Sequence, residues 1–259
     1  HEVAHQWWGH AIMPKQVAGS GLWLEGLAKY SEAVIMEKYY GKGSRWYLAD
    51  QANRRYFRGR AFDPSPEQPL LLGDASHLIY GKSLGALMAA RDLLGEGKIN
   101  KLLQEFVIRQ EGAQEFTLTT RDLVDSLKYL ATPTDQPLLT DWFERIITYD
   151  IHPEDVRLSA LPDGSYELRF MIKGNRYGLD ETGLPVPIEK ERYLPVAVFT
   201  QHPREIDVSN SGLLYEGKLP VGEEIILQFK DFPRFLGIDP YGSRPDKDLV
   251  DNITPLALE

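Results

Sequence analysis

At 259 residues the chain can hold one large domain or two modest ones, and its 42% hydrophobic and 26% charged content is ordinary for a globular protein. A net charge of −9 argues against a nucleic-acid-binding surface, which is normally basic. With no cysteine, disulfides, thiolate metal ligands and a cysteine nucleophile are excluded, and no apolar run of about 18 residues is available to span a membrane.

In chain order, residues 1 to about 150 read as helices. "HEVAHQWWGH" reads as one short helix, and "GLWLEGLAKYSEAVIMEKYYG" as a longer one stopped by Gly41. "SRWYLADQANRRYF" follows, then the Pro-rich loop "DPSPEQPLLLGD". "HLIYGKSLGALMAARDLLG" is helical and ends at Gly95; "KINKLLQEFVIRQ", "LTTRDLVDSLKYL" and "LLTDWFERII" complete the set, with Thr119 or Thr120 as a cap. The pattern changes near Asp150. Val156, Leu158 and Ala160 alternate, "PDGS" supplies a tight turn, and Tyr166, Leu168 and Phe170 alternate back. "YLPVAVFTQ", "GLLYEGKLP" and "EEIILQFKDF" continue as strands, and the tail "GIDPYGSRPDKDLVDN" is turn-rich and polar. The expected class is α+β, with a helical domain over 1–150 and a small β-sandwich over 151–259.

The first line carries the chemistry. His1 and His5 are four residues apart, so a helix would put both imidazoles on one face, able to aim at one point. Zinc accepts neutral imidazole nitrogens and needs a third protein ligand while keeping a position open for water. Glu2 is offset by about 100° from His1 and suits a general base acting on that water. The third ligand has to come from another helix packed on the first. Glu25 opens the second helix, and Gly26 beside it permits close approach. Two neutral histidines and one carboxylate leave a bound zinc near +1, acidic enough to lower a water's pKa to about 7.

"HEVAHQWWGH…LWLEGLAKYSE" resembles the active-site stretch of the aminopeptidase N-type zinc metallopeptidases, a gluzincin family. The resemblance implies that His1, His5 and Glu25 are zinc ligands and that Glu2 is the base and proton shuttle. It also implies that the helical part is the C-terminal half of a thermolysin-like catalytic domain. The interval between His5 and Glu25 is one residue longer than is usual in the family, and the loop "MPKQVAGSG" is expected to absorb it. "LIYGKSLGAL" is similar to the family's Tyr-x-Lys-Gly segment, with Ser83 in place of the glycine. Tyr80 is then the phenol that donates to the developing oxyanion, a role typically worth about 2.7–4 kcal/mol. The tail and "HQWWGH" are similar to a bacterial branch in which the peptidase unit is often joined to transport-type membrane segments. A membrane-associated bacterial parent is therefore implied.

The family binds the free amine of its substrate through a Gly-x-Met-Glu-Asn type segment upstream of HExxH, and no such segment occurs here. The chain is expected to be a fragment whose partner is the missing N-terminal half, and to bind zinc weakly because a helix starting at His1 frays. The expected function is removal of N-terminal residues from peptides. A zinc endopeptidase and a non-catalytic interaction module of a membrane-associated assembly are the alternatives. The remaining conspicuous residues receive plainer readings. His10 ends the metal helix, His77 precedes Tyr80 by three, and His152 and His202 read as surface. Trp7, Trp8 and Trp23 read as packing, and Arg54, Arg55, Arg58 and Arg60 as a solvated face.

Overall fold

The computed structural model describes residues 1–110, 115, 117–180 and 183–259. The protein is mixed α+β, with the helices preceding the strands. The α-helices are α1 (Leu27–Tyr40), α2 (Lys42–Phe62), α3 (Ser83–Leu94), α4 (Glu96–Gln110), α5 (Thr120–Leu130) and α6 (Gln136–Glu144). The strands are β1 (Thr148–Ala160), β2 (Tyr166–Leu179), β3 (Pro185–Ile188), β4 (Tyr193–Phe199), β5 (Leu213–Pro220), β6 (Ile225–Phe229), β7 (Phe235–Ile238) and β8 (Ile253–Pro255). Two compact units result: residues 1–34 with 51–147, and residues 35–50 with 148–259. The change from helix to strand falls at Thr148, near the expected boundary. The segment 35–50 belongs with the strands, an excursion that no local pattern announces.

In the first unit, α1 and α3 are each preceded by a π-helical turn, Leu22–Gly26 and Leu78–Lys82. Their i→i+5 bonds run from Leu27 N–H to the Leu22 carbonyl and from Ser83 N–H to the Leu78 carbonyl. Asp74 anchors the approach to the first of them, accepting from Gly19 N–H at 2.8 Å and Gly21 N–H at 2.7 Å. Gly19 has φ +83, and a Cβ there would lie 2.1 Å from the Leu71 carbonyl oxygen, so only glycine fits. The two π turns lie against each other, and Gly26 meets Ser83, whose hydroxyl donates to the Ile79 carbonyl at 2.6 Å. α5 starts on a capping box: Thr119 is the cap, and Asp122 Oδ2 accepts from Thr119 N–H at 2.7 Å. The core holds Leu22, Trp23, Leu27, Tyr56, Leu78 and Phe106, all essentially inaccessible to water. Each such Leu or Phe contributes roughly 1.5–3 kcal/mol of burial. Trp23 meets Phe106 edge-on at 5.1 Å, and the Trp8 indole donates to Ser31 Oγ at 2.8 Å. Trp7, expected to pack with them, is 45% exposed.

The second unit has two four-stranded antiparallel sheets, one with β2 between β1 on one side and β3 and β6 on the other, the second in the order β5-β4-β7-β8. Along β2 the buried residues Leu168, Phe170, Ile172, Gly174 and Arg176 keep a strict period of two. In β4, Val196, Ala197, Val198 and Phe199 are buried consecutively, so both faces are covered. A Cβ on Gly174 would lie 2.8 Å from Leu194 of the other sheet. The turn between β1 and β2 closes over residues 161–165, with Gly164 at φ +85. Much of the polar tail is covered: Asp239, Ser243, Arg244, Asp246 and Asn252 are all buried. Arg244 reaches Glu191 at 2.9 Å, and the Tyr149 hydroxyl donates to Glu191 at 2.7 Å. Such pairing is what makes buried charge tolerable. No described helix is long and apolar enough to cross a membrane.

Candidate metal centre

"HEVAHQWWGH" does not form an α-helix. A single 3₁₀ turn, Ala4–Gln6, is held by Ala4 N–H to the His1 carbonyl at 2.9 Å and Trp7 N–H to the Ala4 carbonyl at 3.1 Å. Gly9, at φ +111, ends the segment, and one turn is too short for a stable α-helix. The imidazoles converge nonetheless. His1 Nε2 and His5 Nε2 are 3.3 Å apart, and Glu25 Oε2 lies 3.2 Å from the first and 3.4 Å from the second. Zinc–ligand distances of about 2.0–2.1 Å in a tetrahedron place ligand atoms about 3.3–3.4 Å apart. The three atoms therefore match one face of a tetrahedron, with the fourth vertex open. Their side chains are 17–24% exposed.

The hydrogen bonds fit the same reading. His5 Nδ1 lies 2.9 Å from the Trp8 carbonyl, which can only accept. The proton therefore sits on Nδ1, and Nε2 turns a lone pair toward Glu25. His1 Nδ1 faces Glu32 Oε2 at 3.7 Å, and Glu32 is itself held by Lys29 at 2.8 Å. Glu25 Oε2 is buried and has no hydrogen-bond partner. A cation among the carboxylate oxygen and the imidazole nitrogens would stabilise this arrangement. Among the described residues, His1, His5 and Glu25 form the one group of three or more His and acidic side chains close enough to hold a metal.

Glu25 lies on the first π turn and Tyr80 on the second. A π turn takes up one residue more than an α turn. The Tyr80 ring stands 6.0 Å from the His1 ring. Its phenol is held above the ordinary tyrosine range by burial first, then by hydrogen bonding to Glu25 and that carboxylate's charge; Arg55 opposes the shift and Glu2 adds to it. Glu2 is exposed and close enough for its charge to act on Tyr80. The structure thus groups His1, His5, Glu25 and Tyr80, with Glu2 at the edge of the group.

Two neighbours escaped the sequence reading. Glu32 stands behind His1 as an outer carboxylate. It lies seven residues, two helical turns, beyond Glu25 and so on the same face, which was the available signal. Arg55, read as part of a solvated face, lies over the Tyr80 ring with its guanidinium carbon 4.3 Å from the centroid. Nothing local separates it from Arg54 or Arg58. His10 is exposed and outside the group. His77 is buried under Gly59, where a Cβ would come within 2.3 Å of its own, and desolvation lowers its pKa. It adjoins a separate cluster in which Glu67 takes Arg60 Nε and the Tyr56 hydroxyl, each at 2.7 Å, with Lys82 Nζ at 3.4 Å. His202 is partly buried, with its ring against those of Trp46 at 5.3 Å and Phe235 at 5.4 Å. His152 is likewise largely covered, within 4.0 Å of Asp150, Glu154 and Asp251.

A scan against protein-family models finds no match to this chain, and a search of curated proteins finds none.

Proposed function

We propose that this chain carries the zinc site and proton-transfer residues of a metallopeptidase of the aminopeptidase N type. The observation that carries the reading is the triangle of His1 Nε2, His5 Nε2 and Glu25 Oε2, with edges of 3.2–3.4 Å and the Glu25 oxygen without a hydrogen-bond partner. Zinc suits two imidazoles and a carboxylate with one open position. Bound there, it supplies Lewis acidity toward a peptide carbonyl and a water molecule. Glu2 takes the proton of the attacking water and delivers it to the leaving amine. The Tyr80 hydroxyl donates to the carbonyl oxygen as negative charge develops on it. On this reading the helical residues correspond to the second half of a thermolysin-like catalytic domain and the two sheets to a small β-sandwich.

Calorimetric titration with zinc should give one equivalent bound, and His5→Ala or Glu25→Ala should abolish it; wild-type protein that takes up no zinc removes the reading. Glu2→Gln should retain the zinc while turnover falls by about 10²–10⁴-fold. Aminoacyl reporters compared with N-blocked peptides separate removal of N-terminal residues from internal cleavage.

A further inference from the structure

A cation that the peptidase mechanism does not use stands beside the candidate metal centre. Arg55, on α2, is fixed at two points. Its guanidinium lies over the Tyr80 ring at 4.3 Å, and Nη2 donates to Ser76 Oγ at 2.8 Å. The serine uses one of five N–H donors, so most of the donor edge remains available. Other cations of the same unit are engaged by carboxylates: Lys29 by Glu32, Arg60 by Glu67 and Arg91 by Glu96. Arg55 is exposed and ion-pairs with no carboxylate among the described residues.

The distances set what this group can reach. The Tyr80 ring is 6.0 Å from the His1 ring, which puts the guanidinium within about 10 Å of the first metal ligand. An extended peptide advances about 3.3–3.6 Å per residue, so about three residues span that distance. A preorganised guanidinium fork binds a carboxylate through two parallel, charge-assisted hydrogen bonds. We propose that Arg55 is a specificity-determining residue that reads a carboxylate on the peptide substrate, one to three residues from the scissile bond. This deepens the metallopeptidase reading and rests on it. The general field of the molecule works against such a preference: the chain carries a net charge of −9, and Glu2 and Glu25 flank the site. Preference for an anion must therefore come from a local cation.

The test uses the full chain and three tripeptides: Ala-Ala-Ala amide, Ala-Ala-Ala with a free C-terminus, and Ala-Glu-Ala amide. Dissociation constants are measured by NMR titration with and without zinc, following the side-chain Nε–H resonance of Arg55. At least one carboxylate peptide should bind about ten-fold more tightly than the neutral amide, as one charge-assisted pair supplies. The Arg55 resonance should move with that peptide. Tightening by the free C-terminus assigns the terminal carboxylate as ligand; tightening by Ala-Glu-Ala amide assigns an acidic side chain. Arg55→Gln should close the gap, and Arg55→Lys, which keeps the charge without the fork, should retain part of it. Equal constants for the three peptides on the wild-type chain overturn the proposal, as does a gap that survives Arg55→Gln. A gap in a chain that takes up no zinc keeps Arg55 as a carboxylate reader and removes the metallopeptidase reading, whereas zinc uptake without a gap does the reverse.

Discussion

Tyr80 shows how one residue acquires a role from its surroundings. On an amphipathic helix a tyrosine is ordinarily a packing residue. Here its ring neighbours His1 and Arg55, and hydrogen bonding to Glu25 and that carboxylate's charge help raise its pKa after burial. Phenylalanine would keep the ring contacts and delete only the donor. Tyr80→Phe should therefore lower kcat by about 10²–10³-fold with little change in KM or zinc stoichiometry. Equal losses in zinc binding and turnover would instead assign the hydroxyl to holding Glu25. The identities of His1, Glu2, His5 and Glu25 are readable from residue type and spacing. Glu32 and Arg55 are not, because charged residues are common on helices and only their placement separates them from a solvated face.

At the scale of elements, the candidate metal centre depends on turns that depart from α geometry. The histidine pair comes from a 3₁₀ turn and the carboxylate and the phenol from two π turns. Such departures concentrate at functional sites because they re-aim side chains within a packed frame. Periodicity identifies the helices that follow, yet it cannot distinguish one i→i+5 turn from an α turn of the same apolar pattern. Caps are more legible. Thr119 was one of two candidates, and the structure selects it through Asp122. Thr119→Ala should cost about 1 kcal/mol and lower the thermal midpoint by a few degrees, measurable by circular dichroism. The positive φ of Gly19 and its contact with the Leu71 carbonyl make Gly19→Ala the more damaging change, with the loss expected in zinc affinity as well as in stability.

At the scale of the whole molecule, pH acts on buried charge in the strand-bearing unit. Burial holds the carboxyl of Asp246 up at about 7, although it accepts from the N–H groups of Ile151 and Asp248, and the nearby Asp251 and Asp150 push the same way. Glu191 moves in the opposite direction: burial would raise it, but Arg244, Tyr149 and Arg176 together hold it below the usual carboxylate range. The signs differ accordingly. Asp246 binds a proton more readily when folded, so its contribution is present at about pH 4 and is lost as pH rises through about 7, at no more than about 1.4 kcal/mol per pH unit. The Glu191 contribution is present above the ordinary glutamate pKa and is lost as pH falls through its lowered folded value. Urea unfolding should show stability declining from pH 5 to pH 8, and Asp246→Asn, which cannot ionise, should flatten that decline. A slope unchanged by the substitution would place the pH dependence elsewhere.

From the sequence alone follow the α+β class, the change of character near residue 150 and the four residues proposed to bind and use a metal. These rest on local rules: a period of 3.6 or 2, a cap, a glycine, and ligand types at set intervals. Tertiary structure alone decided that segment 35–50 belongs with the strands and that β3, β7 and β8 complete the sheets. It also decided that much of the polar tail is covered around Glu191 and Arg244, and that His202 lies against two rings. The physical reason is the same throughout. The free energy of a charged or aromatic side chain is set by what covers it, and the covering residues are distant in sequence: Arg55 meets Tyr80, and Glu191 meets Arg244, only once the chain has folded.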